Sequence, residues 1–172
     1  MDIFIIALRL IHIFAGVFWA GIAFFLVSYL MPAILKSGPA GGQVMQQLTK
    51  SSYPQVVPMV AALNIISGLA LYWLDSGGLQ SAWLKSGAGI GFTFGAVTGI
   101  VAFVIAFFVT KPAVEKMQAL GAQSAQAGKP PTAEQQAELG KLQAVLGKGA
   151  YYVAIFLALA LAAMATARYL RF

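Results

Sequence analysis

Arg9 and His12 are the only arginine and the only histidine that lie well inside an apolar stretch of this chain, residues 3–30. The hydrocarbon core of a bilayer is roughly 30 Å thick and takes about 20 helical residues to cross. Residues 3–30 are long enough for this, so both side chains are expected at membrane depth. Ionisable groups are costly there and mark functional sites by default.

Other polar residues of the apolar stretches are expected in the same layer as His12. At 1.5 Å per residue, His12 lies roughly 12–14 Å below the surface from which the chain enters, and Asn64 and Ser67 lie roughly 10–15 Å below it. Similar depths are expected for Thr93, Thr98, Met164 and Thr166. Because a buried polar group in lipid needs a partner, one interpretation is a hydrogen bond from His12 to Asn64 or Ser67.

A second interpretation makes His12 an axial ligand of haem b. Since the chain has one histidine, the iron would take Met164 as its other axial ligand or would be five-coordinate. Arg9, one turn from His12, would then hold a propionate; otherwise it extends to the interface or pairs with Asp75. The predicted cofactor-binding residues are therefore His12, Arg9, Asn64, Ser67 and Met164, with His12 as the metal ligand.

The sequence offers less for other chemistries. Methionine suits Cu(I), and Met31 and Met59 stand at matching ends of the first two stretches, but the six methionines are not clustered. The acidic residues lie at the ends of the stretches or between them, so an ion path lacks carboxylates: Asp2, Asp75, Glu115, Glu134 and Glu138. No phosphate loop, metalloprotease helix or nucleophile elbow is present. The absence of cysteine removes disulfides and thiolate metal sites.

Four apolar stretches must position these residues: 3–30, 56–74, 90–109 and 151–167. The chain is 60% hydrophobic and 9% charged, whereas soluble domains average roughly 25% charged residues. We predict an all-α integral membrane four-helix bundle in one domain, residues 1–172. Its helices are expected at about 3–34, 54–75, 87–127 and 133–169, with a surface helix at about 42–52. Asp2 and the length of the first stretch indicate an uncleaved anchor rather than a signal peptide.

The segment between the third and fourth stretches is too long for a plain loop. Apolar residues recur in it at helical spacing: Val114, Met117 and Leu120, then Leu139, Leu142 and Leu146. Thr132 followed by Gln135 is typical of a capping box that opens a helix. Helices 3 and 4 are therefore expected to continue beyond the membrane as an antiparallel hairpin.

Small residues repeat at every fourth position in the third and fourth stretches. The first ladder is Gly87, Gly91, Gly95 and Gly99, and the second is Ala150, Ala154, Ala158, Ala162 and Thr166. Such ladders allow close helix contact in lipid, as does Gly16 in the first helix, and we predict that the two ladders face each other. The alternative is that the glycine zipper forms a homodimer or accepts a flat cofactor. No other internal repeat is evident.

The net charge of +6 is scattered rather than clustered, which indicates membrane topology and not a nucleic-acid surface. With four crossings, one side holds Arg9, Lys85, Arg168 and Arg171. The other side holds Lys36, Lys50, Lys111, Lys116, Lys129, Lys141 and Lys148. This bias favours the first and third loops in the cytoplasm and both termini outside.

Residues 8–21 read Leu-Arg-Leu-Ile-His-Ile-Phe-Ala-Gly-Val-Phe-Trp-Ala-Gly. This pattern resembles the first helix of copper-resistance CopD-like membrane proteins, and the resemblance extends more loosely to residues 38–42 and 67–73. It is also similar to the first helix of HemJ-type protoporphyrinogen oxidases, in which such a histidine is the proposed haem ligand. The resemblance implies a polytopic bundle with His12 at the histidine position of these families. Further histidine and basic positions of HemJ-type enzymes are absent here.

We therefore predict a small multi-pass protein of the cytoplasmic membrane, in contact with the lipid bilayer and not with nucleic acid. Its expected role is that of a non-enzymatic accessory or binding subunit of a membrane redox complex, as a homo- or hetero-oligomer, with haem b at His12 as the candidate cofactor. The alternative is a haem-dependent redox enzyme or a copper-handling protein of the CopD-like type.

Overall fold

The computed structural model describes residues 3–128 and 130–171, and every regular element within those ranges is helical. Four helical segments are long and apolar enough to cross a membrane: Ile3–Lys36, Tyr53–Asp75, Gly87–Ser124 and Ala133–Tyr169. The predicted all-α bundle is confirmed. Asp2 and Lys129, which entered the anchor and charge arguments, lie outside the described residues.

The first half of the chain contains two crossings. The first consists of α1 (Ile3–Phe25), a π-helical turn (Leu26–Leu30) and α2 (Met31–Lys36). The surface helix α3 (Pro39–Lys50) then leads into α4 (Tyr53–Asp75), the second crossing. Helix α3 begins three residues before the expected position because Pro39 occupies the first helical turn, where a missing N–H costs least.

The second half also contains two crossings, but the described residues between them contain no surface helix. A short helix, α5 (Ser81–Leu84), precedes the third crossing, which consists of α6 (Gly87–Ile105), a second π-helical turn (Ala106–Thr110) and α7 (Lys111–Gln126). The fourth crossing, α8 (Ala133–Thr166), is continuous and ends in a 3₁₀ turn, Ala167–Tyr169.

The four crossings pack in a ring. Helix α1 packs most extensively on α4, and α6 on α8, while the α4–α6 and α1–α8 contacts are smaller. Helices α1 and α6 therefore face each other diagonally across the bundle. At one end of the bundle, α1 and α6 begin and α4 and α8 finish. We call this the terminal end. The opposite end, beyond which α7 and the first part of α8 extend, is the hairpin end.

Both π-helical turns are followed, after one intervening residue, by a proline. Pro32 and Pro112 carry no N–H, and their rings clash with the carbonyl four residues earlier. The helix widens instead, so that the Met31 N–H donates to the Leu26 carbonyl and the Lys111 N–H to the Ala106 carbonyl. Single π turns of this kind are typical of bends in long helices.

The hairpin predicted from the third loop is present. Ala113, Leu142 and Leu146 form a separate apolar cluster between α7 and α8, with Val114, Met117 and Leu120 packed around it. The Thr132 hydroxyl accepts from the Gln135 N–H, and the Gln135 side chain accepts from the Thr132 N–H, so the capping box is confirmed. The Gln118 amide donates to the Thr49 carbonyl and ties α7 to α3.

Three of the four ladder glycines lie against the end of α8 or the residues that directly follow it. A Cβ at Gly87 would collide with the Leu170 carbonyl, one at Gly91 would lie 2.9 Å from Cα of Ala167, and one at Gly95 would lie 2.7 Å from Cγ of Met164. No atom lies within 4 Å of a Cβ built at Gly99. The close α6–α8 contact is thus carried by the terminal-end part of the glycine ladder.

The alanine ladder does not face these glycines along its length, so that prediction is wrong. Ala154 is buried, but Ala158, Ala162 and Thr166 are exposed. A step of four residues overshoots one helical turn by about 40°, so a strict fourfold ladder winds around the helix. The buried face of α8 instead alternates steps of four and three: Val153, Leu157, Ala160, the half-buried Met164 and Ala167.

Candidate functional site: a cavity at His12

A cavity of about 380 Å³ lies between all four crossings at the terminal end. Below it, towards the hairpin end, the centre of the bundle is filled by a core cluster: Trp19, Ala20, Ala23, Ala61, Ala102, Val153, Ala154 and Leu157. Ligand sites in proteins usually measure about 300–1,000 Å³ and combine apolar walls with a few polar groups. The polar groups of this cavity include Arg9, His12, Asn64, Asp75 and Arg168.

His12 lines the cavity and is held through one ring nitrogen. Its Nδ1 lies 2.9 Å from the main-chain carbonyl oxygen of Asn64, one helical crossing away. A carbonyl only accepts hydrogen bonds, so Nδ1 carries the proton and donates. Nε2 is then the unprotonated nitrogen. Nε2 makes no hydrogen bond, and no enclosed side-chain nitrogen or oxygen among the described residues lacks a partner, so Nε2 is accessible and not enclosed.

Asn64 fixes the backbone of α1 as well as the imidazole. Its side-chain Nδ2 donates to the main-chain carbonyl of His12 at 2.8 Å and lies 3.2 Å from His12 Nδ1. The hydrogen bond between His12 and Asn64 expected from the sequence is therefore present, although the carbonyl of Asn64 is the acceptor. Ser67 is a weaker neighbour, because its hydroxyl donates within α4 to Leu63 at 2.7 Å and lies 3.4 Å from Nδ1.

Two glycines allow α1 and α4 to approach closely at this layer. A Cβ at Gly68 would lie 2.7 Å from Cε1 of His12, and one at Gly16 would lie 2.9 Å from Nδ2 of Asn64. The imidazole thus rests on the bare backbone of α4. Gly16 was predicted from its small-residue spacing, whereas Gly68 was quoted only within the family resemblance.

The mouth of the cavity carries two arginines and one carboxylate. Arg9 pairs with Asp75 at 3.1 Å, and their side chains are 40% and 32% exposed. This is the pairing that the sequence offered as the alternative to a propionate contact. Arg168 forms no ion pair or hydrogen bond with any residue that the structure describes. The mouth therefore has one cation in excess, which suits an anionic group.

Aromatic rings form the wall of the cavity under the α5 segment. Trp83 packs edge-on against Tyr72, with ring centroids 5.2 Å apart, and is stacked on Phe92 at 6.3 Å. The Tyr72 hydroxyl and the Thr93 hydroxyl are hydrogen-bonded, which joins α4 to α6 beside this wall. Sequence reasoning missed Trp83, Phe92 and Arg168, since an aromatic residue in a short helix or an apolar stretch, or an arginine near a helix end, carries no signal by itself.

Met164 lines the same cavity from α8. All five predicted cofactor-binding residues are thus near one another: His12, Arg9, Asn64 and Met164 line the cavity, and Ser67 lies behind His12. The methionine pair considered for copper is different. Met59 is 64% exposed on α4 and does not line the cavity.

Comparison with known proteins found no family model that matches the chain, and no match among curated proteins or solved structures. The fold and the site therefore define the class of protein by themselves. The chain is a multi-pass helical membrane protein with a cavity between its four crossings.

Proposed function

We propose that this protein holds one haem b in the cavity, with Nε2 of His12 as the axial ligand, and acts as a non-enzymatic subunit of a membrane redox complex. The observation that carries the proposal is the Nδ1–H···O=C hydrogen bond from His12 to Asn64, which leaves Nε2 of this cavity-lining residue free to bind a metal. Metal-binding histidines are typically fixed in this way, because the second bond sets the tautomer and the ring orientation.

The donor set favours haem over a bare metal ion. A protein metal site usually needs three or four protein ligands, and the described residues contain no group of three His, Cys, Asp or Glu that could supply them. A haem brings its own four ring nitrogens and needs one axial side chain from the protein. One imidazole nitrogen without a partner among the described residues, in a cavity whose walls are mostly apolar, suits that requirement.

The charges and rings around the cavity support the same ligand. Haem is a flat, largely apolar molecule with two carboxylates at one edge. The stacked Trp83 and Phe92 offer an apolar wall, and the unpaired Arg168 offers a guanidinium at the mouth. Arg9 is already held by Asp75, so we assign the first propionate contact to Arg168 and not to Arg9. The resemblance of residues 8–21 to HemJ-type proteins points the same way.

A bound haem would supply one-electron transfer. This chain's own residues would fix its orientation and exclude water: His12 as the ligand, Trp83 and Phe92 as an apolar wall, and the arginines at the mouth. Little of the chain lies outside the four crossings apart from α3 and the α7–α8 hairpin, which is why we propose a subunit role rather than an independent enzyme. We place the protein in the cytoplasmic membrane with its terminal end, and hence the cavity mouth, on the outer side.

A haem titration of the purified chain tests the proposal. The wild type is expected to give a Soret band with one haem per chain, and His12→Ala is expected to lose it. Thr98→Ala is the matched control, because Thr98 is a buried polar residue whose hydroxyl bonds only within α6. Equal binding by His12→Ala and the wild type would refute the haem site.

Affinity purification in mild detergent tests the subunit role. Co-purification of other membrane proteins is the expected result, and migration of the chain as a lone monomer would contradict the role.

A further inference from the structure

The two halves of the chain share a feature at a fixed distance. The π-helical turns Leu26–Leu30 and Ala106–Thr110 are 80 positions apart. Each is followed by the same pattern of residue, proline, alanine, two residues and lysine: Met31-Pro32-Ala33-Ile34-Leu35-Lys36 and Lys111-Pro112-Ala113-Val114-Glu115-Lys116. The sequence alone did not reveal this repeat, because the loops that follow differ in length and the helices share few identical residues.

The packing of the bundle agrees with a repeat. Each half has one extensive helix pair, α1 with α4 and α6 with α8, and the two pairs meet through smaller contacts. Helices α1 and α6 cross in the same direction and lie diagonally opposite. An approximate twofold axis along the bundle would exchange them and would pass through the central cavity, which residues of both halves line.

At a spacing of 80 positions, His12 in α1 corresponds to Phe92 in α6, and both line the cavity. We infer that the two halves are structural repeats, that Phe92 holds the position of His12 in the second half, and that Phe92 covers the face of the bound haem opposite His12. This inference rests on the proposed function. It assigns one protein ligand to the iron and makes Phe92 the residue that keeps the second axial position free of a side-chain ligand.

Met164, the other axial ligand considered from the sequence, is less suited to that position. It lies on α8, which is a direct neighbour of α1 in the ring and not its diagonal partner. Its side chain fills the space over Gly95, where a Cβ would lie 2.7 Å from its Cγ. Phe92 is held in place by Trp83, whose ring is stacked on it with an interplanar angle of 6°.

The experiment uses the full chain loaded with haem b in detergent, read by absorption and electron paramagnetic resonance. The wild type is expected to be high-spin and five-coordinate. Phe92→His is expected to become low-spin and six-coordinate, because it places a second imidazole at the repeat-equivalent position. Phe94→His is the control: Phe94 lies on the same helix but is 51% exposed and is not part of the cavity lining, so the spectrum should stay like that of the wild type.

A second variant keeps the test decisive if Phe92→His does not fold. Phe92→Ala should bind added imidazole to give the six-coordinate spectrum at a concentration roughly tenfold below that required by the wild type, as expected for about 1.4 kcal/mol of relieved steric exclusion. A wild-type spectrum that is six-coordinate and becomes five-coordinate in Met164→Leu would overturn the inference. So would a folded Phe92→His with an unchanged spectrum. Haem binding that fails altogether, or that is independent of His12, would instead refute the proposed function.

Discussion

Gly68 lies directly against the imidazole of His12: the Cβ of any other residue at position 68 would come 2.7 Å from Cε1 of the ring. The ring is therefore held between the α4 backbone on one side and the cavity on the other. Its orientation depends on the absence of one methyl group as much as on the hydrogen bond to Asn64.

Gly68→Ala should weaken haem binding without removing the ligand. The added methyl displaces the ring and lengthens the Nδ1–H bond to the Asn64 carbonyl, and loss of such a supporting bond typically costs about 10–100-fold in affinity. A haem titration measures the effect. Gly21→Ala is the control, since a Cβ there meets no atom within 4 Å. Equal affinity in the two variants would contradict the close contact.

Asn64→Ala should separate stability from haem binding. The variant removes the side-chain donor to the His12 carbonyl but keeps the main-chain carbonyl that accepts from Nδ1. We expect the free energy of unfolding in detergent to fall by roughly 0.6–1.7 kcal/mol, the range for polar contacts between membrane helices. The Soret position should be retained. Loss of haem with unchanged stability would show that the amide, and not the carbonyl, orients the ring.

Arg168→Gln should reduce the preference of the protein for haem b, with its free propionates, over haem whose propionates are esterified. The wild type is expected to bind haem b at least about tenfold more tightly than its dimethyl ester, because a well-formed charge-assisted hydrogen bond contributes about 1.5–3 kcal/mol and about 1.4 kcal/mol is tenfold. Arg168→Gln should bind both alike, with the Soret position unchanged. Lys85→Gln, which removes a cation at the same end of the bundle but outside the cavity lining, should keep the preference. If Arg9→Gln abolishes the preference and Arg168→Gln does not, the propionate contact belongs to Arg9.

Gly91→Ala should destabilise the bundle more than Gly99→Ala. At position 91 the new Cβ lies 2.9 Å from both Cα and Cβ of Ala167, which cannot rotate away, whereas at position 99 it meets no atom within 4 Å. Overpacking of this kind costs about 1–3 kcal/mol. Unfolding in a mixed-detergent titration measures the difference. A Gly99→Ala variant as unstable as Gly91→Ala would contradict the α6–α8 register.

Sequence periodicity predicted the positions of the helices well. It predicted less well which side of each helix is buried. Apolar length located the four crossings, and the Thr132 and Gln135 pair located the start of α8, because each of these signals acts locally. The alanine ladder failed because a strict spacing of four was read as one face. The buried stripe of α8 instead alternates four and three, placing Ala158 and Ala162 outside.

The five residues predicted for the candidate site meet at one cavity, but their contacts there could not be predicted from the sequence. His12 is conspicuous because an imidazole in lipid is costly, and depth arithmetic brought Asn64 and Ser67 to the same layer. Which atom of Asn64 binds the ring could not be predicted, since it depends on the rotation of α4 about its axis. Trp83 and Arg168 join the site only because the α5 segment and the end of α8 fold over the same cavity, and no local pattern encodes such a meeting.

Because His12 is the only histidine in the chain, one measurement reports on it alone. The protein is labelled with ¹⁵N-histidine, loaded with haem b and examined by electron–nuclear double resonance. Our account predicts a strong iron hyperfine coupling to one labelled nitrogen, Nε2, and a much weaker coupling to Nδ1. A loaded protein in which no labelled nitrogen is coupled to the iron would contradict the claim that His12 is the axial ligand.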